Sequence, residues 1–419
     1  MAVKRWIGNA AAVADIWTIS LAGTVVSQTY TITINGKTIS YAATSSDTVS
    51  TILSGLTSLW NAFAPAPPAE FQELTATAIP SGGPTYTGIT LIADIAGRPS
   101  TISVSTSGAA SFSIVNTTPA TGPNDFANPL NWSDSTAPAN SDTLVFDTGA
   151  VPCKYNLSTT LTGIILSIET GYSGQVGLPF MNSDATTSYA EYRPTSLNLV
   201  GGTATVNAPS FQRCNLAFGP NTATVRIIAT GNRIDPFIPV VLLTGGNNSS
   251  ELNVSKGDVG IAFYQGTIAT FPTVRTGFVN NSATDVSVQC GIGATLTTIY
   301  KNGGNMTVKS ALTTLTQDIA GGSFTLQDGT ATMLTVVNGT AIINTTGTIG
   351  TINLHNKATL DCDQDPRNKT ITNPLNVMNS TVTILDNQKS INAGTLSIAA
   401  NGASSVNVEH GANTTIVYT

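Results

Sequence analysis

The feature that most constrains the fold of this chain is a pair of interleaved ladders of apolar residues in its last third. The first ladder contains the pairs Met306/Val308, Phe324/Leu326, Ala341/Ile343, Leu360/Cys362, Val382/Ile384 and Val406/Val408. The second contains Leu315, Leu334/Val336, Ile352/Leu354, Leu375/Val377, Leu396/Ile398 and Ile416/Tyr418. Residues i and i+2 share one face of a strand, and a return every ~17 to 24 residues stacks such faces. The ladders therefore predict a parallel β-solenoid in which each coil buries its pairs against its neighbours.

The composition favours strands over helices throughout the later part of the chain. Of the 419 residues, 41% are hydrophobic and only 10% are charged, whereas about a quarter of an average soluble protein is charged. A β-sandwich would need hairpin turns between its strands, and the near-constant return favours a solenoid instead. A dozen or so coils, spaced ~4.8 Å apart, would form a rod of roughly 60 Å.

Residues 1–118 show a different pattern and are predicted to form a small α+β anchoring domain. Tyr30–Ile34 alternates strictly, Asn35-Gly36 is a hairpin turn, and Lys37–Tyr41 returns as the partner strand. Ser46-Asp47 is a predicted N-cap, and apolar residues follow at helical spacing from Val49 to Phe63. Further strands are predicted at 71–78, 89–93 and 101–105, which gives one helix on a mostly antiparallel sheet.

The remaining boundaries follow from composition. Residues 119–143 are rich in Pro, Asn, Ser and Thr and are predicted to be a linker and solenoid cap, in which Trp132 covers the first coil. Residues 144–419 are predicted to be the parallel β-helix. The fold class is therefore expected to be mainly β, a parallel β-helix preceded by a small α+β domain.

Charge and hydropathy exclude several classes of partner. The formal net charge is −6 and Lys and Arg do not cluster, so nucleic acid is not an expected partner. No apolar run approaches the ~20 residues that cross a bilayer, so no membrane is expected. Gly8, Asn9 and Asp15 interrupt the apolar stretch near the start, so we expect no cleaved signal peptide.

The four cysteines are predicted to be free thiols of a protein made in a reducing cytoplasm. They are widely separated and form no CxxC spacing. Cys362 lies in phase with Leu360 and is therefore expected to be buried as a small apolar side chain.

The densest polar cluster consists of Asp361, Asp363 and Asp365. Because Leu360 and Cys362 point inward, Asp361 and Asp363 are expected to project outward. Such carboxylates can ligate Ca²⁺ or act as the acid and base of a polysaccharide-cleaving β-helix enzyme. The third alternative, which the sequence favours, is that the strand ends at Asp363 and Asp365-Pro366 forms a solvated turn. We predict no catalytic, cofactor or metal site, with Asp361, Asp363 and Asp365 as the one calcium candidate.

Other polar and aromatic residues give weaker signals. His355 and His410 are the only histidines, and neither has a Cys or His neighbour at metal-ligand spacing. Tyr155, Tyr264 and Tyr300 are too scattered along the chain to indicate a glycan site.

The last rung of the second ladder predicts self-association. Ile416–Tyr418 lies at the end of the chain with no polar cap after it. An uncapped solenoid end exposes unpaired strand edges, so a homo-oligomer, specifically a homotrimer, is expected.

Two stretches of the chain resemble a known class of protein. The first comprises Met1–Ala10, Thr31–Lys37 and the segment from Asp47 to Trp60-Asn61; the second comprises Asn131-Trp132-Ser133 and Ser141–Asp147. Both resemble tailed-bacteriophage virion structural proteins, in which a small α+β domain precedes a β-helical, pectin-lyase-like body. The resemblance implies an anchoring first domain and a projecting β-helix, commonly trimeric, and it assigns no catalytic residue.

The expected function is therefore structural and not enzymatic. The first expectation is a capsid decoration (cement) protein or head spike in the virion, which contacts other virion proteins, above all the major capsid protein. The second is a tail or tail-fibre protein that contacts the host. The third, from a different class, is a secreted β-helix polysaccharide lyase or hydrolase.

Overall fold

The computed structural model describes most of the chain. It describes all residues except 1, 24, 35, 64, 82–84, 179–180, 184–187, 191–194, 211–212, 234–236, 278–285, 318–321, 379–380, 399–406, 409–414 and 419. The chain divides into two compact units. The solenoid unit comprises Met1–Trp6, Pro138–Val151 and Leu157–Thr419, and the small unit comprises Ile7–Ala137 and Pro152–Asn156.

Strands predominate throughout the described residues. The strands of the first part are β1 Val3–Arg5, β2 Ile16–Ala22, β3 Thr29–Ile34, β4 Lys37–Ala42, β5 Leu74–Pro80, β6 Tyr86–Ala93, β7 Ile102–Thr106 and β8 Ser111–Thr118. The α-helix α1 spans Val49–Trp60, and 3₁₀ turns span Ala69–Glu73 and Pro129–Asn131. The strands up to residue 261 are β9 Thr143–Gly149, β10 Leu161–Thr162, β11 Ile165–Tyr172, β12 Gln175–Val176, β13 Met181–Ser183, β14 Ser188–Ala190, β15 Leu197–Val200, β16 Gly202–Asn207, β17 Arg213–Ala217, β18 Ala223–Ala229, β19 Val241–Thr244, β20 Glu251–Val254 and β21 Gly257–Ile261. The remaining strands are β22 Ala269–Thr270, β23 Thr273–Thr276, β24 Val286–Cys290, β25 Ala294–Thr295, β26 Thr298–Lys301, β27 Asn305–Val308, β28 Leu312–Gln317, β29 Ser323–Leu326, β30 Ala331–Ile343, β31 Ile349–Asp361, β32 Lys369–Ile371, β33 Leu375–Val377, β34 Thr383–Leu385, β35 Ile391–Ala393, β36 Leu396–Ile398, β37 Asn407–Val408 and β38 Ile416–Tyr418.

The predicted fold class is confirmed, because the chain is mainly β and its solenoid unit is a long parallel sheet. One row of apolar residues runs in register through the unit: Leu144, Leu166, Ala204, Val225, Leu252, Val274, Ile299, Leu315, Leu334, Ile352, Leu375, Leu396 and Ile416. The second ladder read from the sequence forms the last part of this row. Its predicted partners, Leu334 beside Ile352 and Leu375 beside Leu396 among them, lie side by side.

The first ladder is also confirmed, except for one register. Met306, Phe324, Ala341 and Leu360 are successive partners. Leu360 then lies beside Ile384, whereas the sequence predicted that the Leu360/Cys362 pair would lie beside Val382/Ile384. Alternation fixes which face a residue occupies, but it does not distinguish two registers that differ by two residues. Val406 lies outside the described residues.

The solenoid unit begins with the N-terminal strand. β1 pairs in parallel with β9, with Lys4 beside Leu144. Trp6 is 2% exposed, its ring packs on Phe146 at 5.8 Å between centroids, and its Nε1–H donates to the carbonyl of Val151. The Phe146 ring packs in turn on Tyr172, whose hydroxyl lies 2.9 Å from the same carbonyl oxygen. An aromatic stack therefore covers the first coils of the solenoid.

That Trp132 covers the first coil stays a prediction. Trp132 is fully buried in the small unit, packs edge-on against Phe126 and donates its Nε1–H to the Phe126 carbonyl. Trp6 packs on the first coils within the solenoid unit itself. The predicted boundaries of 1–118, 119–143 and 144–419 differ from the observed units, because residues 2–6 lie in the solenoid unit.

The small unit contains two antiparallel sheets, ordered β5-β6-β2-β8 and β4-β3-β7. The sequence predicted one sheet, because it missed β2 and β8. Helix α1 buries Ile52, Leu53, Leu56 and Trp60. Its N-cap is Thr48, one residue after the predicted Ser46-Asp47, and the Asp47 carboxylate accepts from Thr44 and Thr51. The helix ends at Trp60, so Phe63 lies beyond it and is exposed.

A glycine substitution tests the spacing between coils. A Cβ added at Gly350 would lie 2.2 Å from the carbonyl oxygen of Thr332 on the preceding coil. Gly350→Ala is therefore expected to lower the free energy of unfolding by about 1 to 3 kcal/mol, because backbone must shift. Gly394→Ala is the control, since nothing lies within 4 Å of that Cβ. Urea unfolding of both variants measures the difference, and equal midpoints would contradict the packing described.

Candidate functional site

The three carboxylates of the calcium candidate have separate partners. Asp361 accepts from the backbone N–H of Asp363 at 3.0 Å and from the Gln364 amide at 3.1 Å. Asp363 accepts from the backbone and side-chain N–H groups of Asn387. As predicted, Leu360 and Cys362 are buried. Among the described residues, no group of three or more His, Cys, Asp or Glu side chains is arranged to hold a metal ion.

Asp365 is buried, not part of a solvated turn as the sequence suggested. It is 8% exposed and accepts from the backbone N–H, Nε and Nη2 of Arg367 at 2.6 to 3.0 Å. The Lys369 ammonium is 1% exposed and lies 3.8 Å from the Asp365 carboxylate. The hydrogen bonds of Arg367 lower the pKa of Asp365 to about 2, and burial lowers the pKa of Lys369. Asp365 and Lys369 therefore form a buried ion pair that ties the turn to β32, and the exposed Arg367 side chain binds the same carboxylate.

A second buried cation lies in the middle of the solenoid. Lys301 is fully buried, and its backbone lies beside Thr276 on one coil and Gln317 on the next. Elsewhere this row holds apolar residues such as Val254 and Val336. Sequence reasoning missed Lys301. Its position two residues after the inward-facing Ile299 indicated that it also points inward. Burial lowers the pKa of Lys301 to about 8.

The buried Lys301 predicts a contribution to stability that rises with pH. Its folded pKa of about 8 is below the ordinary 10.5, so between these values the unfolded chain binds a proton that the folded chain does not. The contribution of Lys301 to the free energy of unfolding should therefore increase from pH 8 to pH 10, by up to about 1.4 kcal/mol per pH unit. Burial raises the pKa of the four cysteines, which acts in the opposite direction, so the contribution of Lys301 is measured by comparing variants. Urea unfolding at pH 8, 9 and 10 measures the slope. Lys301→Met should reduce the slope relative to Lys357→Met, in which the replaced lysine is exposed; identical slopes would contradict the prediction.

A polar pocket of about 460 Å³ lies on the side of the solenoid unit. Arg233 binds Asp258 in a bidentate ion pair, with Nε and Nη2 each 2.6 Å from a carboxylate oxygen, and Nη2 also lies 3.1 Å from the Ser287 hydroxyl. Lys256 and Thr230 also line the pocket. Sequence reasoning missed this pocket, because its residues come from three separate coils and no local motif joins them.

The histidines and tyrosines singled out in the sequence do not converge. His355 lies half-buried on β31, and His410 lies outside the described residues. Tyr155 is buried in the small unit. Tyr300 is 39% exposed beneath the Arg275 guanidinium, which is 4.9 Å from its ring centroid. Tyr264 lines a separate pocket with Phe263.

The outward positions of the solenoid also form rows in register. One row continues through Thr316, Thr335, Asn353, Asn376 and Ser397. The Asn376 amide donates to the Asn353 side-chain oxygen at 2.9 Å, and the Asn353 amide donates to the Thr335 hydroxyl at 3.4 Å. Uncharged hydrogen-bonding side chains therefore link successive coils along this surface.

Helices long and apolar enough to cross a membrane are not found in the described part of the chain. Comparison of the sequence with protein-family models and with curated proteins, and of the structure with solved structures, finds no match.

Proposed function

We propose that this chain is a structural component of a tailed-bacteriophage virion, made in the host cytoplasm, and that it decorates the capsid as a cement protein or head spike. In this proposal the small unit attaches to the particle, with the major capsid protein as the favoured partner. The solenoid unit projects or bridges subunits, and the chain acts as a homotrimer without catalytic activity.

The in-register stack of the solenoid unit is the observation that carries the proposal. Each coil is held by the coils before and after it, through apolar rows inside and Thr and Asn rows outside. Such an arrangement makes a stiff element whose length grows with the number of coils. This is the mechanical property that a spike or a bridge between capsid subunits requires.

The small unit offers a surface suited to attachment. On its four-stranded sheet, three neighbouring strands place uncharged residues on the outward face. These residues are Thr75, Thr77 and Ile79 on β5; Thr90 and Ile92 on β6; and Ile16, Thr18 and Ser20 on β2. Ile92 is 42% exposed, and Val115 on the edge strand β8 is 60% exposed. An uncharged sheet face with exposed β-branched residues is typical of a protein–protein interface core.

The pocket at Arg233 favours a second candidate, a tail or tail-fibre protein that contacts the host surface. Its guanidinium is positioned by a buried carboxylate, as in sites that bind polar ligands. Location on the particle separates the two candidates.

Electron microscopy of labelled virions tests the proposal. An antibody against the solenoid unit should label the heads of purified particles. Labelling confined to tails would support the second candidate. Particles that contain no such chain by mass spectrometry would overturn both.

The enzymatic alternative predicts a measurable activity that the structural proposal does not. Purified protein incubated with acidic and neutral polysaccharides is expected to release no reducing ends or unsaturated products. Cleavage that is lost in Asp363→Ala but retained in Asp328→Ala would contradict the structural proposal, because Asp328 lies outside the Asp361–Asp365 segment.

A further inference from the structure

The solenoid unit has an exposed apolar pocket at one corner, where β21 and β24 end. The pocket encloses about 610 Å³, and Phe263, Tyr264, Ile268 and Ile292 contribute to its lining. Ile268 is 69% exposed and Ile292 is 73% exposed. Large exposed aliphatic residues that border an apolar pocket mark a contact site, since water solvates them poorly.

The shape of this corner is fixed by its backbone. A Cβ at Gly291 would lie 1.9 Å from the Ala262 carbonyl oxygen, and a Cβ at Gly293 would lie 2.0 Å from the Thr267 carbonyl oxygen. Gly293 also accepts from the backbone N–H of Ala269 on the preceding coil. The Phe263 and Tyr264 rings pack edge to face at 5.2 Å between centroids. The pocket is therefore preformed, which reduces the entropic cost of binding.

The same unit carries a side chain that fits such a pocket. Phe237 is 78% exposed and precedes β19, which pairs in parallel with β21, the strand that leads to Phe263. Phe237 and the pocket therefore belong to adjacent coils and lie at nearly the same level of the stack. In a ring whose axis is parallel to the stack, contacting residues of neighbouring copies must lie at one level.

The charge of the pocket argues against its facing an identical pocket. Lys309 is exposed and belongs to the lining. Two such pockets apposed across a two-fold axis would bring two ammonium groups together, which is unfavourable. The total net charge of the chain is −6, so the rest of its surface is negative on balance. Lys309 is therefore more favourably placed against another surface of a second copy than against that copy's identical pocket.

We propose that the pocket formed by Phe263, Tyr264, Ile268 and Ile292 receives the Phe237 side chain of a second copy of this chain, and that copies join head to tail into a closed ring. This inference rests on the proposed homotrimer and identifies the surface that forms it. Phe237 and the pocket are then the two halves of one heterologous interface, with Phe237 as the aromatic anchor.

Mixing two complementary variants of the full chain tests the inference. Phe237→Ala removes the anchor but keeps the pocket, whereas Ile268→Glu disrupts the pocket but keeps the anchor. Each variant on its own should therefore be monomeric by light scattering at micromolar concentration, whereas the wild type should be trimeric. Mixed in equal amounts, the two variants should form a one-to-one dimer, because one intact interface remains. Met378→Glu, at a residue that is 45% exposed on the same unit, should remain trimeric.

The outcomes separate the inference from the proposed function. Circular dichroism should be unchanged in both variants, because the substituted side chains are exposed. Trimeric variants would overturn the assignment of the interface while leaving the trimer intact. A monomeric wild type would overturn the proposed trimer itself. Monomeric variants that stay monomeric when mixed would overturn the head-to-tail arrangement.

Discussion

Trp6→Ala is expected to lower the free energy of unfolding of the solenoid unit by about 3 to 5 kcal/mol, the range for removing a buried Trp side chain. The substitution removes the ring that packs on Phe146 and the hydrogen bond to the Val151 carbonyl. It leaves a cavity at the first coil, and coils of a solenoid are stabilised through their neighbours. The effect should therefore extend beyond the substituted strand.

Urea unfolding followed by far-ultraviolet circular dichroism measures this loss. Trp17, Trp60 and Trp132 lie in the small unit, so the tryptophan fluorescence of the variant reports on that unit and separates its unfolding from that of the solenoid unit. Val3→Ala is the matched control, because Val3 lies on the same strand and is 56% exposed; its change should remain below about 0.5 kcal/mol. A Trp6→Ala protein as stable as this control would contradict the role assigned to the aromatic stack.

Asp365→Asn is expected to cost about 3 kcal/mol or more, because it removes the carboxylate that lies 3.8 Å from the buried Lys369 ammonium. Lys369 is 1% exposed, so water cannot replace the lost interaction. The wild type should also lose stability in acid. The folded pKa of Asp365 is about 2, below its ordinary 3.8, so its contribution is complete above pH 4 and disappears as the pH falls through 2.

Two further variants isolate this ion pair. Asp363→Asn removes a carboxylate of the same segment that bonds to the exposed Asn387, and it should cost less than about 1 kcal/mol. Adding Lys369→Met to Asp365→Asn should recover part of the lost stability, since the buried charge is then gone. If the double variant is less stable than Asp365→Asn alone, Lys369 contributes by another route and the interpretation is wrong.

Periodicity was sufficient to predict the solenoid, because burial of alternate residues leaves a direct trace in the sequence. The row from Leu315 to Ile416 could be read pair by pair for this reason. The role of Trp6 could not be read in the same way. Its strand pairs with β9, far away in sequence, and no local pattern marks a parallel partner at that separation.

The polar sites were harder to predict than the core, for a related reason. The Arg233–Asp258 pair joins residues from different coils, so its existence depends on loop paths that alternation does not determine. Lys301 and Lys369 were detectable from their inward phase, since each lies two residues from a buried isoleucine. A charged residue in an inward phase is the signal that would have revealed both.

The registers of the solenoid have a consequence for how such a chain can change. In the inner row, Ala204 lies beside Leu166, and Leu315 lies beside Ile299. The chain segment between the first two residues is far longer than the segment between the second two. Among the described residues of the longer segment, β13 and β14 form a separate antiparallel hairpin between β12 and β15, while the strands of the row remain side by side. Connections between the strands can therefore accept or lose sequence independently of the core. A protein of this kind can acquire new surface features one loop at a time, without altering the stiffness of the stack that carries them.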